Sequence, residues 1–166
     1  ECGDPGMQFD TIINEWHTCK NSARINASNP CSEYMFVDDT SCNLASINLK
    51  KFQKQDGNFD VSGFEKCIDA IVPAMDLNYE ESSFPTESIA QNSYDFRTLG
   101  LGYANLGALL MSEGLAYDSD KARATAAVIT SLMAAKVYEV STVMAENIGT
   151  FKHFEKNKEP MLEVMK

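Results

Sequence analysis

Asn26-Ala27-Ser28-Asn29-Pro30-Cys31-Ser32-Glu33-Tyr34-Met35, followed by Asp38-Asp39-Thr40-Ser41-Cys42-Asn43-Leu44-Ala45-Ser46-Ile47-Asn48-Leu49, is the stretch on which the reading of this chain turns. Pro30 disfavours the helical region for Asn29, which predicts an extended backbone there. Residues two apart in an extended chain face one side. Asn29, Cys31 and Glu33 would then offer an amide, a thiol and a carboxylate to one small volume. A carboxylate can take a hydroxyl proton, and an amide can both donate and accept. Such a set suits a polyol. The bland alternative stands beside it: a lone Cys is among the most often buried residues and commonly acts as a small hydrophobe, and an Asn-Pro-Cys loop is common chemistry for a turn. Cys42 follows Cys31 by eleven residues. The Asp38-Asp39 turn could bring the two thiols near each other, as a dithiol or by coincidence.

Outward from this stretch the chain alternates. Phe9, Ile12, Ile13 and Trp16 recur at helical spacing over Met7 to Trp16, with Asp4 and Pro5 suited to its start. His17 to Pro30 is polar loop. Glu33 to Val37 and Ser41 to Leu49 read as two short strands around a turn. Gln55-Asp56-Gly57-Asn58 is a turn. Ser62 to Leu77 predicts a helix with Phe64, Ile68, Ile71, Val72 and Met75 on one face, kinked or ended early by Pro73. Pro85 and Thr86 open a short helix to about Tyr94, with Thr86 as cap. Arg97 to Ala104 reads as a strand in which Gly100 and Gly102 suggest close backbone approach. Leu106 to Met111 is helical. Ser119 to Asn147 is the longest periodic stretch, with Ala122, Ala126, Ile129, Met133, Val137, Val140 and Met144 along one side and Gly149 as its stop. Glu159 to Lys166 predicts a last helix. Mixed strands and helices, with a helix-rich C-terminal half, point to an α/β class.

Composition bounds the function. The 166 residues carry 14 Lys and Arg against 24 Asp and Glu, a net charge of −10, with 44% apolar residues. That length buries roughly two thirds of its unfolded surface as one domain. The charge disfavours a general DNA, RNA or anionic-membrane binder. No uninterrupted apolar run approaches the ~18 to 20 residues of a membrane span. Five cysteines, an odd number irregularly spaced, favour free thiols in a reducing, cytoplasmic setting. Cys2, Cys19 and Cys67 read as structural, Cys67 as core. His17 and Cys19 lack the spacing of a zinc site, so no metal is expected. His153 lies among Lys and Glu and reads as solvated. Gly100-x-Gly102 alone is a weak dinucleotide signal, and Tyr103 reads as packing. The chain opens on Glu1 and stops within a predicted helix, as a single fragment, 1–166, of a longer polypeptide would.

The two quoted strings resemble the catalytic segment of ribonucleotide reductase large chains, most closely the adenosylcobalamin-dependent class. Gly3-Asp4-Pro5-Gly6, Phe9-Asp10 and Asn14-Glu15-Trp16 agree, as do Arg97-Thr98-Leu99-Gly100-Leu101-Gly102-Tyr103-Ala104-Asn105-Leu106-Gly107 and Asn157-Lys158-Glu159-Pro160-Met161-Leu162. Thr98 departs from the Pro expected there. The resemblance implies a ten-stranded α/β barrel in which Arg24 to Val37 forms a central catalytic loop. It implies that Cys31 becomes a thiyl radical that removes the ribose 3′ hydrogen, that Glu33 is the base toward the 3′ hydroxyl, and that Asn29 binds the sugar. Cys42 matches one half of the dithiol that ends as a disulfide. The other half is expected upstream of Glu1, with the loops for allosteric dNTP or ATP effectors. The phosphate loop, a tyrosine relay if the radical came from an iron subunit, and any shuttle cysteines are expected beyond Lys166. The short gap from Cys31 to Cys42 and Asn43-Leu44-Ala45-Ser46 favour the cobalamin class, and Asn29 together with Glu33 separates the chain, by resemblance, from the glycyl-radical class. The expected partners are a ribonucleotide, adenosylcobalamin and a thioredoxin or glutaredoxin type reductant. A homodimeric parent is compatible with this, and the isolated piece is expected to be inactive and aggregation-prone. A thiyl radical also demands a closed cavity, where a carboxylate tends toward a raised pKa. The competing reading is a non-catalytic α/β module with structural cysteines.

Overall fold

The computed structural model describes Gly3 and residues 5–166. The proposed roles of Cys2 and of Asp4 as a helix cap fall outside the described residues. The elements run in order α1 (Asp10–Glu15), β1 (Asn43–Asn48), a 3-10 turn (Leu49–Phe52), α2 (Val61–Glu81), α3 (Glu87–Phe96), β2 (Leu99–Ala104), α4 (Leu106–Ser112), α5 (Asp120–Ile148) and α6 (Phe154–Met165). They divide into two compact units. One holds residues 1–42, 83–97 and 151–166, and the other 43–82 and 98–150.

The second unit is built on β1 and β2, which pair in parallel from Asn43 opposite Leu99 to Asn48 opposite Ala104. A parallel pair needs a long crossover, and the intervening chain includes α2, which packs on both strands and along α5. Phe64, Ile68 and Val72 of α2 meet Ile129, Met133 and Val140 of α5, with Ile47, Leu49 and Leu109 completing the core. Burying side chains of this kind contributes roughly 1.5–3 kcal/mol each. Cys67 is half-buried against this core. Tyr103 packs there too, its hydroxyl 2.9 Å from Thr130 Oγ1. By length and composition alone α5 is able to cross a membrane. Here its Ala122, Ile129, Met133 and Val140 are buried, and Lys136 pairs with Asp69 at 2.9 Å and Glu139 at 3.2 Å. The Ser119 hydroxyl caps α5 by accepting from the Ala122 N–H, and Gly149, at φ +91°, ends it in a conformation that favours glycine.

Four local expectations need correction. Pro73 does not end α2 early, for α2 continues to Glu81. The Asp69 carbonyl that loses a helical partner belongs to an exposed residue, where water can replace the missing N–H. Glu33 to Val37 is not a strand; it contributes one isolated bridge, Met35 to Ser28. β1 finds its partner in β2 instead. Gly102 is not placed for close approach, since a Cβ there would meet Ser46 Oγ at an ordinary 3.6 Å. The first helix is short, Asp10–Glu15, and buries none of its residues. The described residues carry a two-stranded parallel sheet within a mixed α/β fold.

The first unit has its own small core of Cys19, Val37 and Phe96, flanked by Phe36 and Phe151. Phe36 meets Phe96 edge-on at 5.2 Å and His17 edge-on at 5.7 Å. Asn157 of α6 is fully buried. Its Oδ1 accepts from the Asn21 N–H, and its Nδ2 donates to Ser22 Oγ and the His153 carbonyl. That amide fastens the polar loop after α1 to α6.

Candidate active site

The Asn29–Glu33 segment is a turn, which corrects the expected extended backbone. The Ser32 N–H donates to the Asn29 carbonyl at 3.0 Å, with Pro30 in the second position that its fixed φ favours. Ser32 follows at φ +65°, a left-handed conformation that costs a non-glycine residue about 1–2 kcal/mol. The same-face argument from alternation therefore does not apply to Asn29, Cys31 and Glu33. What the turn does is lift Cys31 to an exposed position. Glu33 is exposed as well, and Asn29 is half-buried. The described residues therefore do not enclose Cys31 in the cavity that radical chemistry requires.

Side chains that the sequence did not single out hold the turn. Gln8 Nε2 donates to Ser28 Oγ at 3.0 Å and to Ser32 Oγ at 3.1 Å, and Ser28 Oγ donates to the Asn29 carbonyl at 2.9 Å. Asn29 Oδ1 accepts from the Tyr34 N–H at 3.0 Å. That contact orients the amide and leaves its NH2 end for another partner. Asp39, at φ +54°, turns the chain again before Cys42, and Asn26 Nδ2 holds the Asp38 carboxylate at 2.7 Å.

Cys42 is half-buried just ahead of β1. Burial pushes its thiol pKa up, and the negative charge of Glu33 pushes it further in the same direction. The loop thus brings Glu33 within electrostatic reach of Cys42, and Cys42 keeps its proton at neutral pH. Cys19 is buried, and burial raises its thiol as well.

His17 is buried with both ring nitrogens engaged. Nε2 lies 3.0 Å from the Ala23 carbonyl, which only a protonated Nε2 satisfies, and Nδ1 accepts from the Cys19 N–H. Burial holds its pKa below the ordinary histidine value. His153 is not simply solvated. Its ring packs at a tilt against Phe96, with centroids 4.8 Å apart, and its Nε2 lies 3.3 Å from Asp95. Asp95 also receives Lys152 and Gln91. Burial works to raise its pKa, but these donors hold the carboxyl below its usual range. A cleft of about 220 Å³ runs between residues 22–26, Val37, Asp38, α3 and α6. Among the described residues no three His, Cys, Asp or Glu side chains gather as a metal site.

Comparison with known proteins accounts for the whole chain. The family described as the ribonucleotide reductase barrel domain matches residues 1–166. A vitamin B12-dependent ribonucleotide reductase of Rhodopirellula baltica is 54% identical over 164 residues, covering 99% of this chain and 16% of that protein. One of Streptomyces coelicolor is 53% identical over 169 residues, covering 99% of the chain and 18% of its own length. A vitamin B12-dependent ribonucleoside-diphosphate reductase of Mycobacterium tuberculosis is 32% identical, over 92% of the chain and 22% of that protein. The chain thus spans about a sixth of the first two relatives. Among solved structures, the class Id ribonucleotide reductase alpha subunit of Actinobacillus ureae superposes with a TM-score of 0.75 over 92% of this chain and 31% of that one. At 23% identity that likeness speaks to the fold alone.

Proposed function

The chain belongs to the ribonucleotide reductase barrel-domain family, and from that premise we propose that it carries the catalytic loop of an adenosylcobalamin-dependent enzyme that reduces ribonucleotides to 2′-deoxyribonucleotides. One observation carries the reading: within a match spanning residues 1–166, Asn29-Pro30-Cys31-Ser32-Glu33 forms a pinned turn that presents an exposed thiol. Arg24 to Val37 is the loop that runs up the centre of a ten-stranded barrel, and chain outside the described residues closes the cavity around it. The substrate is a ribonucleoside di- or triphosphate in the reducing cytoplasm, under dNTP or ATP effectors bound elsewhere.

Each residue has a part in a balanced reaction. Cys31, as a thiyl radical, takes the hydrogen atom from the ribose 3′ carbon and returns it at the end of the cycle. Glu33 accepts the 3′ hydroxyl proton. The NH2 end of Asn29, set by Tyr34, donates to a sugar oxygen. The 2′ carbon–oxygen bond breaks and its hydroxyl leaves as water. The two electrons and two protons come from two thiols, Cys42 and a cysteine upstream of Glu1, which end as a disulfide. A thioredoxin or glutaredoxin type protein then restores the dithiol. The vitamin B12 group named in the relatives would supply, when bound, the one-electron chemistry that removes the hydrogen atom of the Cys31 thiol and leaves it as a thiyl radical. The exposed Cys31 fits the receiving end of that chemistry.

The test is a single turnover of the full-length enzyme without external reductant, with its cysteines trapped and mapped. The expected result is about one deoxyribonucleotide per active site with Cys42 in a disulfide. Turnover that leaves Cys42 a free thiol would overturn the assignment.

A further inference from the structure

We propose that Tyr34 is a positioning residue that locks the Cys31 turn to the Cys42 segment, so that the radical and the reducing thiol act in one fixed geometry. The inference rests on the catalytic reading above and adds a residue to it.

The backbone of Tyr34 and its side chain hold opposite ends of the loop. Its N–H donates to Asn29 Oδ1 at 3.0 Å, two residues before Cys31. Its hydroxyl lies 2.9 Å from Thr40 Oγ1 and 3.3 Å from the Ser41 carbonyl, next to Cys42. Thr40 Oγ1 donates to the Val37 carbonyl at 2.6 Å. A hydroxyl has one proton to give, so Thr40 is the acceptor and Tyr34 the donor. Ser41 Oγ continues the line to Ser93 Oγ of α3 at 2.8 Å. The Tyr34 ring leans on Phe36 at 6.0 Å, and Phe36 packs on the core residue Phe96. One half-buried side chain therefore spans a loop that carries two non-glycine residues at positive φ, Ser32 and Asp39. Such conformations persist only where the surroundings over-determine them.

Tyr34→Phe keeps the ring and removes only the hydroxyl. In the full-length enzyme we expect kcat to fall about tenfold or more with KM within about twofold, because a small misplacement of reacting groups is costly to the chemical step. Disulfide formation at Cys42 in a single turnover should slow by the same factor, while the thermal midpoint stays close to that of the parent. Thr40→Val should reproduce the loss, and the double variant should be no worse than either single one. Cys31→Ser serves as the control. If it is inactive and Tyr34→Phe turns over at the parent rate, the positioning role is wrong and the catalytic reading stands. If Tyr34→Phe raises KM and lowers the melting midpoint in step with kcat, the residue is merely structural. If Cys31→Ser is itself active, the catalytic reading fails and takes this inference with it.

Discussion

His17 shows how far a single residue can be read. Its type and spacing argue against a zinc site, but nothing in the sequence shows that it is buried with Ala23 and Cys19 as partners. His153 and Asp95 meet across 58 positions, and Asn157 meets Asn21 across 136. A single sequence carries no signal for such pairs, because their reason is the tertiary fold. The thiol and carboxylate of the candidate site were singled out by their order along the chain, which is the family's signature. The turn that bears them was open to reading from Asn-Pro-Cys, which is common turn chemistry, but the left-handed Ser32 within it was not, because serine is an unusual residue for that conformation. The buried His17 also fixes a pH dependence. Its folded-state pKa lies below the ordinary value, so the unfolded chain takes up the proton first, near pH 6.5. The stability it contributes is full above about pH 6.5 and is lost as pH falls from there to the folded-state value. His17→Gln should flatten that part of the profile. The check is the denaturant midpoint of parent and variant in the full-length enzyme at about pH 7.5 and 5.5. Parallel profiles would show that His17 is not held neutral.

At the scale of the element, periodicity was a sound guide. The apolar faces of α2 and α5 emerge where spacing puts them, with Phe64, Ile68, Val72, Ile129, Met133 and Val140 in one core. The Thr86 cap was equally legible, because a hydroxyl before a periodic run can satisfy an N–H that the first helical turn leaves open. Thr86 accepts from the Ile89 N–H in this way, and Ser119, which the sequence reading did not name as a cap, accepts likewise from the Ala122 N–H. Strand pairing was not legible. β1 and β2 pair across 56 residues, whereas sequence reasoning favours neighbours. Tyr34, Met35 and Phe36 form an apolar run resembling a strand, yet Phe36 and Val37 join the Phe96 cluster as loop residues. The cap on α5 gives a measurable consequence. Ser119→Ala should lower stability by about 1 kcal/mol, and Ser119→Asp, which still caps, should restore most of it. Denaturant midpoints of the full-length variants decide this, and an unchanged Ser119→Ala midpoint would mean that the Ala122 N–H finds another partner.

For the whole molecule, the family was legible from five stretches distributed in order along the chain, and the match over residues 1–166 agrees with that reading. The barrel was not legible from physical pattern, and a two-stranded parallel sheet is what the described residues form. A parallel sheet is ordinarily covered on both faces and continued at its edges, and here Leu44 of β1 remains 65% exposed. The same holds for Cys31, whose exposed thiol needs a cavity before it can carry a radical safely. The central claim is that this sulfur starts the chemistry. Its most direct test is deoxyribonucleotide formation by the full-length enzyme with Cys31→Ser, beside Cys67→Ser, with substrate binding measured on both. The account predicts no product from Cys31→Ser with binding within about twofold of the parent, and near-parent turnover from Cys67→Ser. Product formed at an appreciable rate by Cys31→Ser would contradict it.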